Sequence, residues 1–292
     1  MATIRFKVSV VAINTHHNGA DYYGPARATM TPVAPANVTY ISACINRALF
    51  GGMGHAVGHI VVFPEFILQP QEGAYNVLQR DHVLAHLQHI LTALPVNVLV
   101  VFGTVVSQGA GSVYYNEMPY GIGGGALLYT CKQWLSNIDL IDRRAAVGSQ
   151  LIHWHGGRLK QGEGAGVQRN WSQIMAPSHT VNFRGARVGF SVCLDYTQGV
   201  LANRLPVNGE VNIHVVTSCG MAFENRAFMR PDHNATLPNG AVIVCDAQGD
   251  QSSVHRIRLG GTSFHRSSMT THTHSIGGLA TKIRNTTFLI QT

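Results

Sequence analysis

Charge is scarce in this sequence. Asp, Glu, Lys and Arg together make up 12% of its 292 residues, about half the usual quarter. Hydrophobic residues stand at an ordinary 45%. A disordered chain would be poor in apolar residues and rich in charge, so that class is excluded. No apolar run approaches the roughly eighteen residues of a membrane-crossing helix, and no membrane association is expected. The five cysteines, Cys44, Cys131, Cys193, Cys219 and Cys245, form no Cys-x-x-Cys pair, which speaks against a zinc ribbon or a dithiol redox motif. An odd number leaves at least one thiol free. The first residues, MATIRFKVSVVAIN, lack the apolar core and cleavage site of a signal peptide and read as a strand. A reducing, cytoplasmic setting is expected. Internal repeats, low-complexity tracts and Pro/Ser linkers are also missing, so residues 1–292 are expected to form one domain.

Histidine is abundant, at 16 residues. The close sets are His16-His17, His153-Trp154-His155 and His265 with His272-Thr273-His274. None is completed by a carboxylate or a His-Glu-x-x-His pattern, so no metal is expected. The net charge of +7 raises the question of an acidic partner. The basic residues are scattered, with Arg143-Arg144 the one adjacent pair. A nucleic-acid binder gathers its charge into a stripe or patch, so no nucleic-acid partner is expected.

What the chain does have is an alternation of strand and helix patterns. Ile4 to Ile13 reads as a strand, and Asn37 can cap a helix to about Phe50, closed by Gly51-Gly52. His59 to Phe63 is a short apolar strand. Between about Tyr75 and Leu94 the residues Leu84, Leu87, Leu91 and Leu94 fall on one helical face, and Pro95 ends it. Further strands are expected at Val96 to Phe102, Gly124 to Thr130, Arg187 to Val192, Val211 to Thr217, Ala241 to Cys245 and Thr286 to Ile290. Short helices fit near Thr197 to Leu205 and Ala222 to Met229. The pattern is that of an α/β fold with apolar strands covered on one or both faces. Residues 133 to 180 carry little periodicity, and loops of that length tend to hold functional or inserted segments.

Three strand ends carry reactive side chains. Glu65 follows His59-Ile-Val-Val-Phe63-Pro64, where proline breaks the strand. Lys132 leaves Gly125-Ala-Leu-Leu-Tyr129-Thr-Cys. Cys193 ends Arg187-Val-Gly-Phe-Ser-Val192 and is followed by Leu194-Asp195. Taken singly, each has an ordinary reading: a solvated loop carboxylate, a snorkelling lysine and a buried thiol. Together they suffice for acyl transfer. A cysteine at a strand-to-helix elbow is exposed to attack, and a helix N-terminus helps hold its thiolate. A carboxylate can take the thiol proton and later activate water. A lysine can neutralise a tetrahedral oxyanion. In open α/β sheets, sites gather at the carboxyl ends of strands, where all three fall.

The ordered motifs FPE with Glu65, Y-x-x-K with Lys132 and G-x-x-x-C-x-D with Cys193 resemble the Glu-Lys-Cys triad of the nitrilase, or carbon–nitrogen hydrolase, superfamily. VNIHVVTSCGM, FENRAF and AVIVCDAQGD resemble the segments that follow the nucleophile there. The resemblance implies a four-layer α-β-β-α sandwich, assembled into homo-oligomers. It also implies hydrolysis of a non-peptide carbon–nitrogen bond without metal or cofactor. Cys193 would be the nucleophile and Glu65 the base. Lys132 and the backbone N–H of Leu194 would stabilise the oxyanion. Lys132 lies farther before Cys193 than is usual in the family, which implies an insertion around 143–180. Lys160 has the more typical spacing and stands as the alternative lysine. Glu163, in a Gly-Glu-Gly turn, is a candidate for the family's supporting carboxylate. Tyr196, Trp134 and Tyr115 are candidate pocket aromatics. Leu194-Asp195 replaces the Trp-Glu of nitrile-cleaving relatives, so an amide substrate is favoured over a nitrile. N-acyl transfer and a catalytically silent binding or assembly module are the alternatives.

Overall fold

The computed structural model describes residues 3–13, 35–52, 54–68, 75–108, 114–132, 134–135, 157–158, 179–197, 199–206, 209–219, 236–247, 251–257 and 264–291. In chain order the first half runs β1 (Thr3–Ala12), α1 (Pro35–Phe50), β2 (Gly58–Val62), α2 (Val77–Ala93), β3 (Val98–Val101), β4 (Val105–Gln108), β5 (Tyr114–Ile122) and β6 (Leu128–Cys131). A short pair, β7 (Trp134–Leu135) and β8 (Gly157–Arg158), follows. The second half runs β9 (Thr180–Phe183), β10 (Ala186–Val192), α3 (Leu194–Thr197), α4 (Val200–Arg204), β11 (Val211–Ser218), β12 (Thr236–Asp246) and β13 (Ser253–Ile257). The chain closes with β14 (Phe264–Arg266), β15 (Thr270–Ile276) and β16 (Leu279–Gln291).

These strands make two mixed sheets. The eight-stranded sheet has the order β15-β16-β1-β2-β3-β5-β4, with β6 paired to β5. The six-stranded sheet has the order β14-β13-β12-β11-β10-β9. At the heart of each is a parallel trio, β1-β2-β3 in one and β10-β11-β12 in the other. Strands β2, β3 and β11 are buried at every residue. That is why they read as unbroken apolar runs rather than alternating ones.

The two sheets face each other across one apolar layer. Val8, Val10, Ile60 and Val62 meet Phe190, Val192, Ile213 and Val215 there. Tyr120 stacks on Phe190 at 3.8 Å between ring centroids, 25° from parallel. Such a pair adds about 0.5–1.5 kcal/mol beyond its buried area. The outer face of the larger sheet is covered by α1 and α2 through Ile41, Ile45, Leu87 and Leu91. On the outer face of the smaller sheet, Leu201 of α4 packs on Val211, and Tyr196 of α3 joins Val216, Val242 and Val244. The layer order is the expected α-β-β-α sandwich.

Helix α2 starts at Val77, two residues after the expected Tyr75. Its cap is Asn76, whose Oδ1 accepts the Gln79 N–H at 2.9 Å while Gln79 Oε1 accepts the Asn76 N–H at 3.0 Å, a reciprocal capping box. Two expectations need correction. The strand expected at Gly124 to Thr130 is shorter: Gly123 to Gly125 form a turn and β6 begins at Leu128. Gly123 cannot carry a side chain, since a Cβ there would lie 2.1 Å from the Pro95 carbonyl oxygen. The strand that pairs with β6, β5, was not anticipated, because Gly, Pro and Asn interrupt its alternation. The helix expected near Thr197 to Leu205 is two short ones, α3 and α4, separated at Gly199 in the left-handed region. The expected helix at Ala222 to Met229 lies outside the described residues, as does most of the segment 143–180 in which an insertion is expected.

Candidate active site

Glu65 and Lys132 meet at the carboxyl ends of strands in the larger sheet. Lys132 Nζ donates to Glu65 Oε1 at 2.9 Å, and both side chains are fully buried. A buried ion pair contributes little to stability, because desolvation offsets its attraction. A buried Glu–Lys pair at strand ends is therefore a candidate for a functional site. Asn116 of β5 donates its Nδ2–H to the same Glu65 oxygen at 2.9 Å.

The turn that carries Glu65 is tightly specified. Phe66 takes φ +65°, and its N–H donates to Thr104 Oγ1 at 2.9 Å. Gly103, at φ +74°, passes so close that a Cβ would sit 2.2 Å from the Pro64 carbonyl oxygen. The Glu65 N–H donates at 3.4 Å to the Ser218 carbonyl at the end of β11. The turn therefore bridges to the opposite sheet, the sheet that carries Cys193.

Cys193 leaves β10 with φ +44°. A non-glycine residue in that region costs about 1–3 kcal/mol and persists where surrounding structure enforces it. Here the Cys193 N–H is held by the Thr217 carbonyl at 2.7 Å, the last rung between β10 and β11. The side chain belongs to the layer between the sheets and is 6% exposed. The helix that follows, α3, is a single turn. The expected help of a helix N-terminus to a Cys193 thiolate is therefore small.

Cys219, just past β11, joins these groups. Burial pushes its thiol up first, and the nearby Glu65, Asp246 and Cys193 push it in the same direction, against Lys132. Glu65, Lys132, Cys193 and Cys219 thus share one electrostatic neighbourhood, drawn from both sheets. Asp246, at the end of β12, accepts the Ser218 hydroxyl at 2.7 Å on Oδ2. Cys44, Cys219 and Cys245 are all buried thiols raised mainly by desolvation, Cys44 to about 12.

Behind the pair, on the α2 side of β5, Arg80 clamps Glu117 with Nε–Oε2 at 2.6 Å and a second bond to Oε1 at 2.7 Å. Ser107 adds a bond to Oε2 at 3.3 Å. This two-pronged pairing fixes β5 to α2.

Other expected residues fall differently. Tyr196 is 2% exposed and packs at 5.0 Å from the His214 ring in the outer layer. It is a core aromatic on the far side of the sheet, not a pocket residue. Tyr115 also lies on the α2 side of β5, where burial foremost and Cys131 and Glu117 next raise its hydroxyl. It therefore faces away from Asn116 and Glu65. Lys160 and Glu163 lie outside the described residues, and so do the side chains of Leu194 and Trp134. Asn116, Cys219 and Glu117 escaped the sequence reading. Nothing in the sequence marks Asn116, because its strand, β5, has no readable alternation. Among the described residues no group of three or more His, Cys, Asp or Glu side chains is arranged to hold a metal, and no helix is long and apolar enough to cross a membrane.

No protein-family model matches the chain, and no curated protein matches it. Solved structures do. A CN-hydrolase superfamily protein from Xanthomonas campestris, with an arsenic adduct in its active site, is 17% identical with a TM-score of 0.50, over 100% of this chain and 92% of that one. A mutant of the amidase from Nesterenkonia sp. AN1, in which acrylamide has added to the active-site cysteine, is 11% identical with a TM-score of 0.51, over 99% and 93%. A glutamine-dependent NAD(+) synthetase from Cytophaga hutchinsonii is 12% identical with a TM-score of 0.50. There the match covers 99% of this chain but 43% of the synthetase. The likeness is one of fold: the chain has the nitrilase-like α/β fold of the carbon–nitrogen hydrolase structures.

Proposed function

We propose that this protein is a carbon–nitrogen hydrolase that cleaves an amide through a thioester on Cys193. The observation that carries the reading is the buried Lys132–Glu65 pair at 2.9 Å, which acts on the same buried thiol, Cys219, as does Cys193, a residue that turns out of its strand with φ +44°. Ordered motifs and a shared fold add support.

In this reading Glu65 accepts the Cys193 thiol proton and Sγ attacks the amide carbonyl carbon. The carbonyl π electrons move to oxygen, and the oxyanion is met by the Lys132 ammonium and the Leu194 backbone N–H. Glu65 returns its proton to the departing nitrogen, the carbon–nitrogen bond breaks, and ammonia or an amine leaves. Water then gives a proton to Glu65 and attacks the thioester carbon. The carbon–sulfur bond breaks, the acid departs, and the proton returns to sulfur. The net reaction is amide plus water to acid plus amine.

Purified protein assayed for ammonia release over a panel of short primary amides should turn over at least one. Cys193→Ala should lower that rate by roughly 10⁴-fold or more while the melting temperature stays near that of the parent. Full activity in Cys193→Ala would reject the thioester route. A Cys193 thiol no more reactive than a free one would favour a catalytically silent member of the fold.

A further inference from the structure

We propose that Asn116 is a positioning residue that holds Glu65 ionised and aimed toward Cys193. The inference rests on the hydrolase reading above and assigns a role that reading does not contain.

Asn116 is 2% exposed and sits on the inward face of β5, two residues before Met118. Its Nδ2–H and the Lys132 Nζ both donate to Glu65 Oε1, each at 2.9 Å. An ionised carboxylate only accepts hydrogen bonds, so the amide must present nitrogen, not oxygen, to it. The same residue also holds the lysine. Its backbone carbonyl accepts the Lys132 N–H at 2.8 Å. One residue thus fixes the spacing of base and lysine from both its side chain and its main chain.

The strand cannot easily drift. Glu117, the next residue, is gripped from the opposite face by two bonds from Arg80. With one oxygen of Glu65 occupied twice, the carboxylate cannot rotate without losing both donors. An N–H donor aimed at a carboxylate favours its charged form. Lys132 supplies charge. Asn116 supplies direction, with no charge to compete for the oxyanion.

The test uses acrylamide as a thiol probe on the full-length protein. The second-order rate of Cys193 modification is followed by peptide mass spectrometry from pH 4 to pH 9. Parent, Asn116→Leu, Asn116→Asp and Glu65→Gln are run together, each with a thermal melt. Because Glu65 must be ionised to take the thiol proton, the parent should show an acid limb that Glu65→Gln abolishes. Asn116→Leu should move the limb up by about one pH unit, so labelling below it slows about tenfold. Above the limb, the rate should stay within about twofold of the parent. Asn116→Asp keeps the size of the side chain but sets a second carboxylate beside Glu65, and should move the limb further. It keeps the test alive should the leucine variant fail to fold.

A merely structural Asn116 would lower the melting temperature and leave the limb in place, and that result overturns the proposal alone. A parent with no limb, or with Cys193 labelled no faster than a free thiol, overturns the hydrolase reading and this proposal with it.

Discussion

The parallel pair β1/β2 in the larger sheet and the pair β10/β11 in the smaller one are built alike and end differently. Each buries a Ser–His hydrogen bond across neighbouring strands. Ser9 Oγ meets His59 Nε2 at 2.7 Å, and Ser191 Oγ meets His214 Nε2 at 2.8 Å. In both, the serine faces a valine and the histidine lies two residues before that valine. The ladders also stop at the same point, Val10 against Val62 and Val192 against Thr217.

Beyond that point the halves diverge. β1 runs on through Val11 and Ala12, because β16 pairs with it as far as Lys282. β10 has β9 beside it only from Ala186 to Gly189. Past Phe190 no outer strand among the described residues holds it straight, and the chain turns at Cys193. The turn at Cys193, the proposed nucleophile, thus follows the loss of a neighbour, not a different kind of strand. In the larger sheet it is β2 that breaks, at Pro64, and presents Glu65.

Substitutions at the matched positions test this contrast. Val11→Gly should cost about 3 kcal/mol or more in denaturant melts, since it empties a fully buried site in an extended strand. Cys193→Gly should go the other way and gain up to about 1 kcal/mol, because glycine accepts φ +44° without strain. Equal losses at both positions would break the comparison.

A second contrast sharpens it. Burial lowers His59 and His214 to about 3, with Lys7 adding to the effect on His59. An unfolded histidine titrates near 6.5, so below that pH the unfolded chain binds protons that the folded one refuses. Stability contributed by each neutral histidine is full above pH 6.5 and declines as pH falls toward about 3. The slope is about 1.4 kcal/mol per pH unit for each. His59→Gln and His214→Gln should each flatten the acid slope by that amount, read from melts between pH 6.5 and 4. A much larger change in one would show that the two devices are not equivalent.

The apolar runs made the central strands legible in the sequence. Val61, Val100 and Val215 lie in strands buried on both faces, and such strands advertise themselves. Glu65 and Cys193 were legible as candidates because each follows such a run, and Lys132 because it follows the shorter β6. Strand β5 was not, since Asn116, Glu117, Pro119 and Gly121 break its alternation. Its polar residues are buried because partners from distant parts of the chain, Glu65 and Arg80, satisfy them. Spacing in one sequence cannot display partners 51 and 37 residues away. Tyr196 misled for a related reason: it lies near Cys193 in sequence, yet α3 turns it through to the other face of the sheet.

Exposure alone does not separate Cys193 from Cys131, at 6% and 7%. A brief iodoacetamide pulse at pH 7, with peptide mass spectrometry of all five cysteines, therefore reads activation rather than access. Cys193 should be carbamidomethylated at least about tenfold faster than Cys131 and faster than a free thiol, and Glu65→Gln should remove that advantage. Equal labelling of Cys193 and Cys131, unchanged by Glu65→Gln, would contradict the assignment of Cys193 as a nucleophile served by Glu65.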